Sequence, residues 1–164
     1  MYAERTGVIG NVSQGDDMII VVDKTNVSEA AKIHSISWKE SHRSFCTTEF
    51  IDQHSPQRQE AYLRWKMENG SKFYMLVEKM PIGIVSITEN LIEDLYVLPE
   101  MQNHGFGSQL LKYAIDQCAG TPTLWILENN VDAARLYRRI GFEATGKRKV
   151  VAQGLDEMEY SLRR

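Results

Sequence analysis

The clearest chemical signal in the sequence is a run of six residues, Gln102-Asn103-His104-Gly105-Phe106-Gly107. Before it stands "LYVLP", the end of a strand; after it "SQLLKYAIDQC" has a helical period. A strand that leaves through a glycine-bearing loop into a helix offers unpaired N–H groups and the positive end of a helix dipole, which suits an anion. Gly105 and Gly107 let the backbone reach φ > 0 and let a ligand come close to the main chain, and successive N–H groups can form a nest for phosphate oxygens. The same spacing also describes a plain tight turn into a helix. Two phosphate motifs are excluded. No Gly-Lys-Ser/Thr follows, as the phosphate loop of the NTPases requires, and Ser108, Gln109 and Leu110 follow Gly107 where the dinucleotide fingerprint needs a third glycine.

Covalent and metal chemistry find little footing. Cys46 and Cys118 are the only cysteines, form no close pair and have no metal-ligand spacing, so both are expected as thiols in a reducing compartment. Cys118 falls on a predicted core face and Cys46 has no evident base, so neither reads as an obligatory nucleophile. The chain of 164 residues fits one domain with a real core. Its 43% hydrophobic and 25% charged residues are those of an ordinary globular protein. A net charge of -3 argues against a general nucleic-acid binder. The N-terminus lacks the apolar run of a secretory signal, and no window approaches the ~20 apolar residues of a membrane helix. No membrane partner is expected, and the cytoplasm is the expected location.

The elements that must position the loop follow from periodicity. Residues 1–16 are polar and read as a flexible arm, with one domain over 17–164. "MIIVVD" (18–23) is a buried strand. A helix runs from Asn26, a cap with Glu29 at the third helical position, to about residue 42. Residues 43–54 are ambiguous. Ser55 and Pro56 open a second helix that stops at Asn69-Gly70. "KFYMLVEKMPIGIVSIT" reads as two strands turning near Lys79 to Pro81, and "LIEDLYVLP" as a third. Alternation puts Glu93, Leu95 and Val97 of that third strand on one face and Asp94, Tyr96 and Leu98 on the other. Leu111, Ala114, Ile115 and Cys118 form the inner stripe of the helix after the loop. "TLWILE" (123–128) is a strand. A short helix lies between Asn130, its cap, and Gly141, with Ala133, Leu136, Tyr137 and Ile140 on one face. A hairpin turning at Gln153-Gly154 closes the chain.

Two segments taken together carry a resemblance. "YVLPEMQNHGFGSQLL" holds Gln-x-x-Gly-x-Gly complete at Gln102, Gly105 and Gly107, after Val97-Leu98-Pro99. "LENNVDAARLYRRIGF" holds Asn-x-x-Ala-x-x-Leu-Tyr-x-x-x-Gly-Phe at Asn130, Ala133, Leu136, Tyr137, Gly141 and Phe142. Both, in this order, resemble the signatures of the GCN5-related N-acetyltransferase (GNAT) family. The element order fits over nearly the whole domain, while the specific motifs lie in the C-terminal half. The resemblance implies an α/β fold with a mixed, mostly antiparallel twisted sheet of about six to seven strands and about four flanking helices. It implies an acetyl-CoA-dependent transfer of an acetyl group to a primary amine, by direct attack in a ternary complex.

It also implies roles. The backbone of Gln102, Asn103, His104, Gly105, Phe106, Gly107 and Ser108 would hold the pyrophosphate of acetyl-CoA, and Leu95, Tyr96 and Val97 the pantetheine arm. Asn130, Ala133 and Tyr137 would complete the cofactor site. Tyr137 would protonate the departing thiolate, since a phenol with an ordinary pKa near ~10 is protonated at neutral pH; a core tyrosine with a partnered hydroxyl would look the same in sequence. An amine of pKa ~10 must lose a proton before it attacks, and Glu93 is the carboxylate expected to take it, directly or through water. Arg138 and Arg139, or Lys147-Arg148-Lys149, would meet the 3′-phosphate of CoA or the acceptor, or form a solvated face.

The acceptor would lie between the first two helices. That points to Trp38, His42 and Phe45 as substrate-binding residues, with Glu40 and Glu49 nearby. Aromatics and carboxylates suit a cationic amine, and they equally suit a helix pair with a charged outer face. Family members are often homodimers. Two other functions remain open at this stage: a non-catalytic acyl-CoA-binding module, and an unrelated nucleotide-phosphate binder that would leave the 130–142 match unexplained.

Overall fold

Short β-branched runs bounded by turn residues become the strands of one sheet. In the computed structural model, residues 18–44 and 46–163 are described; the expected arm 1–16 and the candidate Phe45 lie outside the described residues. The strands are β1 (Met18–Val21), β2 (Lys72–Val77), β3 (Pro81–Thr88), β4 (Leu91–Val97), β5 (Thr123–Leu127), β6 (Phe142–Ala152) and β7 (Leu155–Leu162). The helices are α1 (Val27–His42), α2 (Thr48–Asp52), α3 (Pro56–Glu68), α4 (Phe106–Gln117) and α5 (Val131–Ile140). The strands form a seven-stranded sheet in the order β1-β2-β3-β4-β5-β7-β6, antiparallel except where β4 meets β5. The expected fold class is the observed one. No helix among the described residues is long and apolar enough to cross a membrane.

Side-chain alternation along β3 separates two helical layers. Ser86 points to the face where α1 and α3 pack, through Asp94 and Lys66. Gly83, three residues earlier, points to α4. A Cβ added at Gly83 would sit 2.7 Å from Leu110 Cδ1 and 3.1 Å from the Tyr96 carbonyl oxygen. Leu110 itself is fully buried, and so is most of Tyr113, so the core face of α4 is wider than its expected members by these two residues. Gly83→Val should therefore overpack the β3–α4 contact and cost about 1–3 kcal/mol, read as a lower urea midpoint at unchanged slope.

Three local expectations change. The ambiguous segment 43–54 contains α2, whose Thr47 cap accepts from the Phe50 N–H at 3.3 Å; five residues are too few for periodicity to declare a helix. Asn26 stands at the start of α1 without capping it. Its side chain turns back, accepting from the Asp23 N–H at 2.8 Å and donating to the Val21 carbonyl at 3.0 Å, and so braces the exit from β1.

The third change bears on the site. Between Ser86↔Glu93 and Ile84↔Tyr96, β4 spends one residue more than β3. Asp94 takes up the excess in a left-handed conformation, φ 49°, which makes a β-bulge. The bulge breaks the expected alternation. Glu93 and Asp94 both reach Lys66 on the α3 side, while Val97 pairs with Gly83 on the α4 side.

Candidate active site

The opening between β4 and β5 comes from how little they pair. They share one register position, Leu91 with Thr123. Beyond it the strands part, leaving Leu95, Tyr96 and Val97 along the gap. The loop that follows ends at Gly105, φ 84°, and α4 begins with no side chain capping it. Its first-turn N–H groups thus keep their donors, and a Cβ added at Gly105 would meet nothing within 4 Å. An uncapped, open helix start after a left-handed glycine fits a multiply charged phosphate group.

The signature side chains build this cradle. Gln102 Nε2 donates to the Val97 carbonyl at 3.1 Å, tying the loop to the end of β4. Asn103 is left-handed, φ 63°. His104 Nδ1 lies 2.8 Å from the Gln102 carbonyl and 3.2 Å from that of Met101, a local brace. Phe106 packs against the core. Ser108 Oγ accepts from Arg139 Nη2 at 3.3 Å, which brings one cation to the loop. Asn130 caps α5, its Oδ1 accepting from the Ala133 N–H at 3.1 Å. Lys147, Arg148 and Lys149 lie elsewhere: each pairs with carboxylates of the neighbouring strand, Glu159, Asp156 and Glu157, and Arg148 also with Glu128. Arg138 donates to the Tyr160 hydroxyl at 3.0 Å.

Tyr137 is buried on the inner face of α5, its ring edge-on to Phe142 at 6.0 Å. Burial pushes its phenol up to about 12. It stands close enough to Tyr96 for its charge to help raise the Tyr96 phenol, after burial and the charge of Asp94.

On the other side of the β4 bulge lies a cavity of about 330 Å³, lined by His34, Trp38, His54, Arg58, Gln59, Tyr62, Asp94 and Tyr96. Asp94 anchors its floor. Its carboxylate accepts from Ser86 Oγ at 2.7 Å, Lys66 Nζ at 2.9 Å, His34 Nε2 at 3.0 Å and Tyr62 OH at 3.2 Å. Burial alone would raise the Asp94 carboxyl, but the His34 hydrogen bond and the Lys66 charge outweigh it and hold it well below the usual range. For Lys66 the same burial is outweighed by Asp94 and Glu93, and its ammonium is held above its ordinary value. Glu93 binds Lys66 at 2.9 Å and stands outside the cavity lining.

Of the expected acceptor residues, Trp38 lines this cavity. His42 does not; it stacks on Trp38 at 3.9 Å with Nδ1 2.8 Å from the Trp38 carbonyl. The histidine that lines the cavity beside Trp38 is His54. Sequence reasoning passed over His34, His54, Gln59 and Lys66. Two of these were legible: His34 lies one turn from both Ala30 and Trp38, and Lys66 one turn from Tyr62, so each continues an inward helical stripe.

Comparison with known proteins agrees with the fold. The model of the acetyltransferase (GNAT) family matches residues 30–142. The chain is 29% identical over 70 residues to the peptidyl-lysine N-acetyltransferase YjaB of Salmonella typhimurium; the match covers 43% of this chain and about half, 48%, of that relative. The fold is similar to the PaiA N-acetyltransferase of Thermoplasma acidophilum solved with coenzyme A, with a TM-score of 0.70, 16% identity and coverage of 91% and 99% of the two chains. It is also similar to YncA of Salmonella typhimurium solved with acetyl-CoA, with a TM-score of 0.67, 19% identity and coverage of 91% and 94%.

Proposed function

The chain belongs to the acetyltransferase (GNAT) family, and from that premise we propose that it transfers an acetyl group from acetyl-CoA to a primary amine held in the cavity beside the β4 bulge. The observation that carries this is the juxtaposition of two sites across one strand. The uncapped start of α4 and the β4–β5 gap lie on one side, and an open cavity lined by aromatic and polar side chains lies at Tyr96 on the other. Acetyl-CoA supplies the activated acyl group. The backbone of Gln102 to Ser108 holds its pyrophosphate, Leu95 to Val97 hold the pantetheine, and Asn130 with Ala133 keeps α5 in register beside it. Phosphate binds a chain of net charge -3 because backbone amides and a helix dipole supply the local positive potential.

The acceptor's amine lies beside Tyr62 and Tyr96, whose rings favour a cation, with Trp38, stacked between His42 and His54, as a wall of the cavity. It attacks the thioester carbonyl, and Tyr137 protonates the departing thiolate. Small amines, amino acids and the lysine or N-terminal amine of a peptide share this chemistry. The peptidyl-lysine activity named for the YjaB relative makes a lysyl peptide the first acceptor to try.

The test is thermal melting with and without excess acetyl-CoA, with NAD and ATP as controls, followed by thiol release against an amine panel. Acetyl-CoA at ~100 times its dissociation constant should add about 2.7 kcal/mol, a rise in Tm of several degrees. A shift with ATP or NAD and none with acetyl-CoA would point to a nucleotide binder. A shift without thiol release from any amine would point to an acyl-CoA-binding module.

A further inference from the structure

Acetyl transfer, the reading above on which this inference rests, needs a group that takes a proton from the acceptor's ammonium, and the cavity's carboxylate is ill suited to it. Asp94 already accepts from four donors, and Glu93 is held by Lys66 outside the lining. The cavity's tyrosines, Tyr62 and Tyr96, are held above their ordinary value by burial, so they remain protonated. His34 spends Nε2 on Asp94, and its Nδ1 is sealed inside the protein.

His54 differs from each of these. Its place is fixed at three points. Its carbonyl accepts from the buried Ser35 hydroxyl at 2.5 Å, its Nδ1 lies 3.0 Å from the Phe50 carbonyl, and its ring stacks on Trp38 with centroids 3.5 Å apart and planes 13° apart. A carbonyl only accepts, so Nδ1 carries the hydrogen and Nε2 carries the lone pair. The ring is only partly buried and lines the cavity. We propose that His54 is the general base of the reaction, with Nε2 taking the proton of the acceptor's ammonium directly or through one water.

The groups around it favour a neutral imidazole. Burial lowers its pKa from 6.5 and outweighs the Phe50 carbonyl, which raises it; Arg58 on α3 and His34 and Lys39 on α1 lower it further. Across the cavity stand Tyr62, Tyr96 and the already neutralised Asp94. The protons balance. One proton of R–NH3+ passes to His54. The amine lone pair forms the C–N bond and the C–S bond breaks. The thiolate takes the Tyr137 proton, the adduct nitrogen returns a proton to the Tyr137 phenolate, and His54 releases its own to solvent. A neutral base acts above its pKa, so kcat falls as the pH drops through a value below 6.5.

The test is His54→Asn, whose amide can still donate to the Phe50 carbonyl but has no group at the Nε2 position. Melting with acetyl-CoA is measured alongside the pH profile of kcat with the amine that wild type acetylates. The expected result is an unchanged acetyl-CoA shift, a loss of about 10²–10⁴-fold in kcat, disappearance of the acid limb, and partial rescue by added imidazole. A variant that keeps the wild-type kcat, or the same acid limb at reduced kcat, overturns the role of His54 and leaves acetyl transfer standing. A wild type that neither shifts with acetyl-CoA nor releases thiol overturns acetyl transfer, and the role of His54 with it.

Discussion

Replacing Tyr137 by phenylalanine should lower kcat by about 10²-fold or more while the rise in Tm with acetyl-CoA stays as in wild type. The ring is buried against Phe142 and its environment raises the phenol by desolvation alone. Removing the hydroxyl therefore deletes a proton donor without opening a cavity. With a pKa of about 12, the phenol stays protonated through the whole working range. The loss should be the same at pH 6 and at pH 9, unlike the loss at His54, which is full at neutral and alkaline pH and shrinks on acidification, where the wild-type imidazole is itself protonated. Thiol release across pH, with melting as the binding control, reads both quantities. A variant with wild-type kcat would reduce Tyr137 to a packing residue.

Asp94→Ala should lose about 3–5 kcal/mol of stability, roughly 10 °C in Tm for a chain of this size. The carboxylate and its Lys66 partner each have side chains only 8% exposed. Its removal strands Lys66 with the half-exposed Glu93 and deprives His34, Tyr62 and Ser86 of their acceptor. The pH dependence has a fixed sign. The folded carboxyl is held below its ordinary 3.8, so its contribution is fully present above that value and is lost as pH falls below it. The gap between wild type and variant should be widest at neutral pH and close on acidification. Urea unfolding at several pH values measures it. A gap under about 1 kcal/mol at pH 7 would mean that the Lys66–Glu93 pair alone holds this corner of the fold, as an exposed pair does not.

The order of elements, the glycine loop and the two family signatures are legible in the sequence alone. Each is local. Apolar periodicity sets helix and strand wherever a segment is long enough. Gly105 and Gly141 stand at left-handed positions that disfavour a Cβ, and Asn130 caps because the N–H it serves is three residues away. Gln102 was recognisable as a signature residue, but its work, holding the Val97 carbonyl, needs the loop to fold back on β4.

The acceptor side, by contrast, is built from contacts between distant segments. The β4 bulge turns Asp94 to the same side as Glu93, against simple alternation, because β3 offers one partner where β4 has two residues. Lys66 lies 27 and 28 positions from its two carboxylates. His34 lies 60 from Asp94. His54 displaces His42 from the cavity because α2, too short to show a period, sets the path of the chain between α1 and α3. Contacts across such separations depend on how the helices dock on the sheet. Docking is set by the packing of the whole core, which no local pattern of residues specifies.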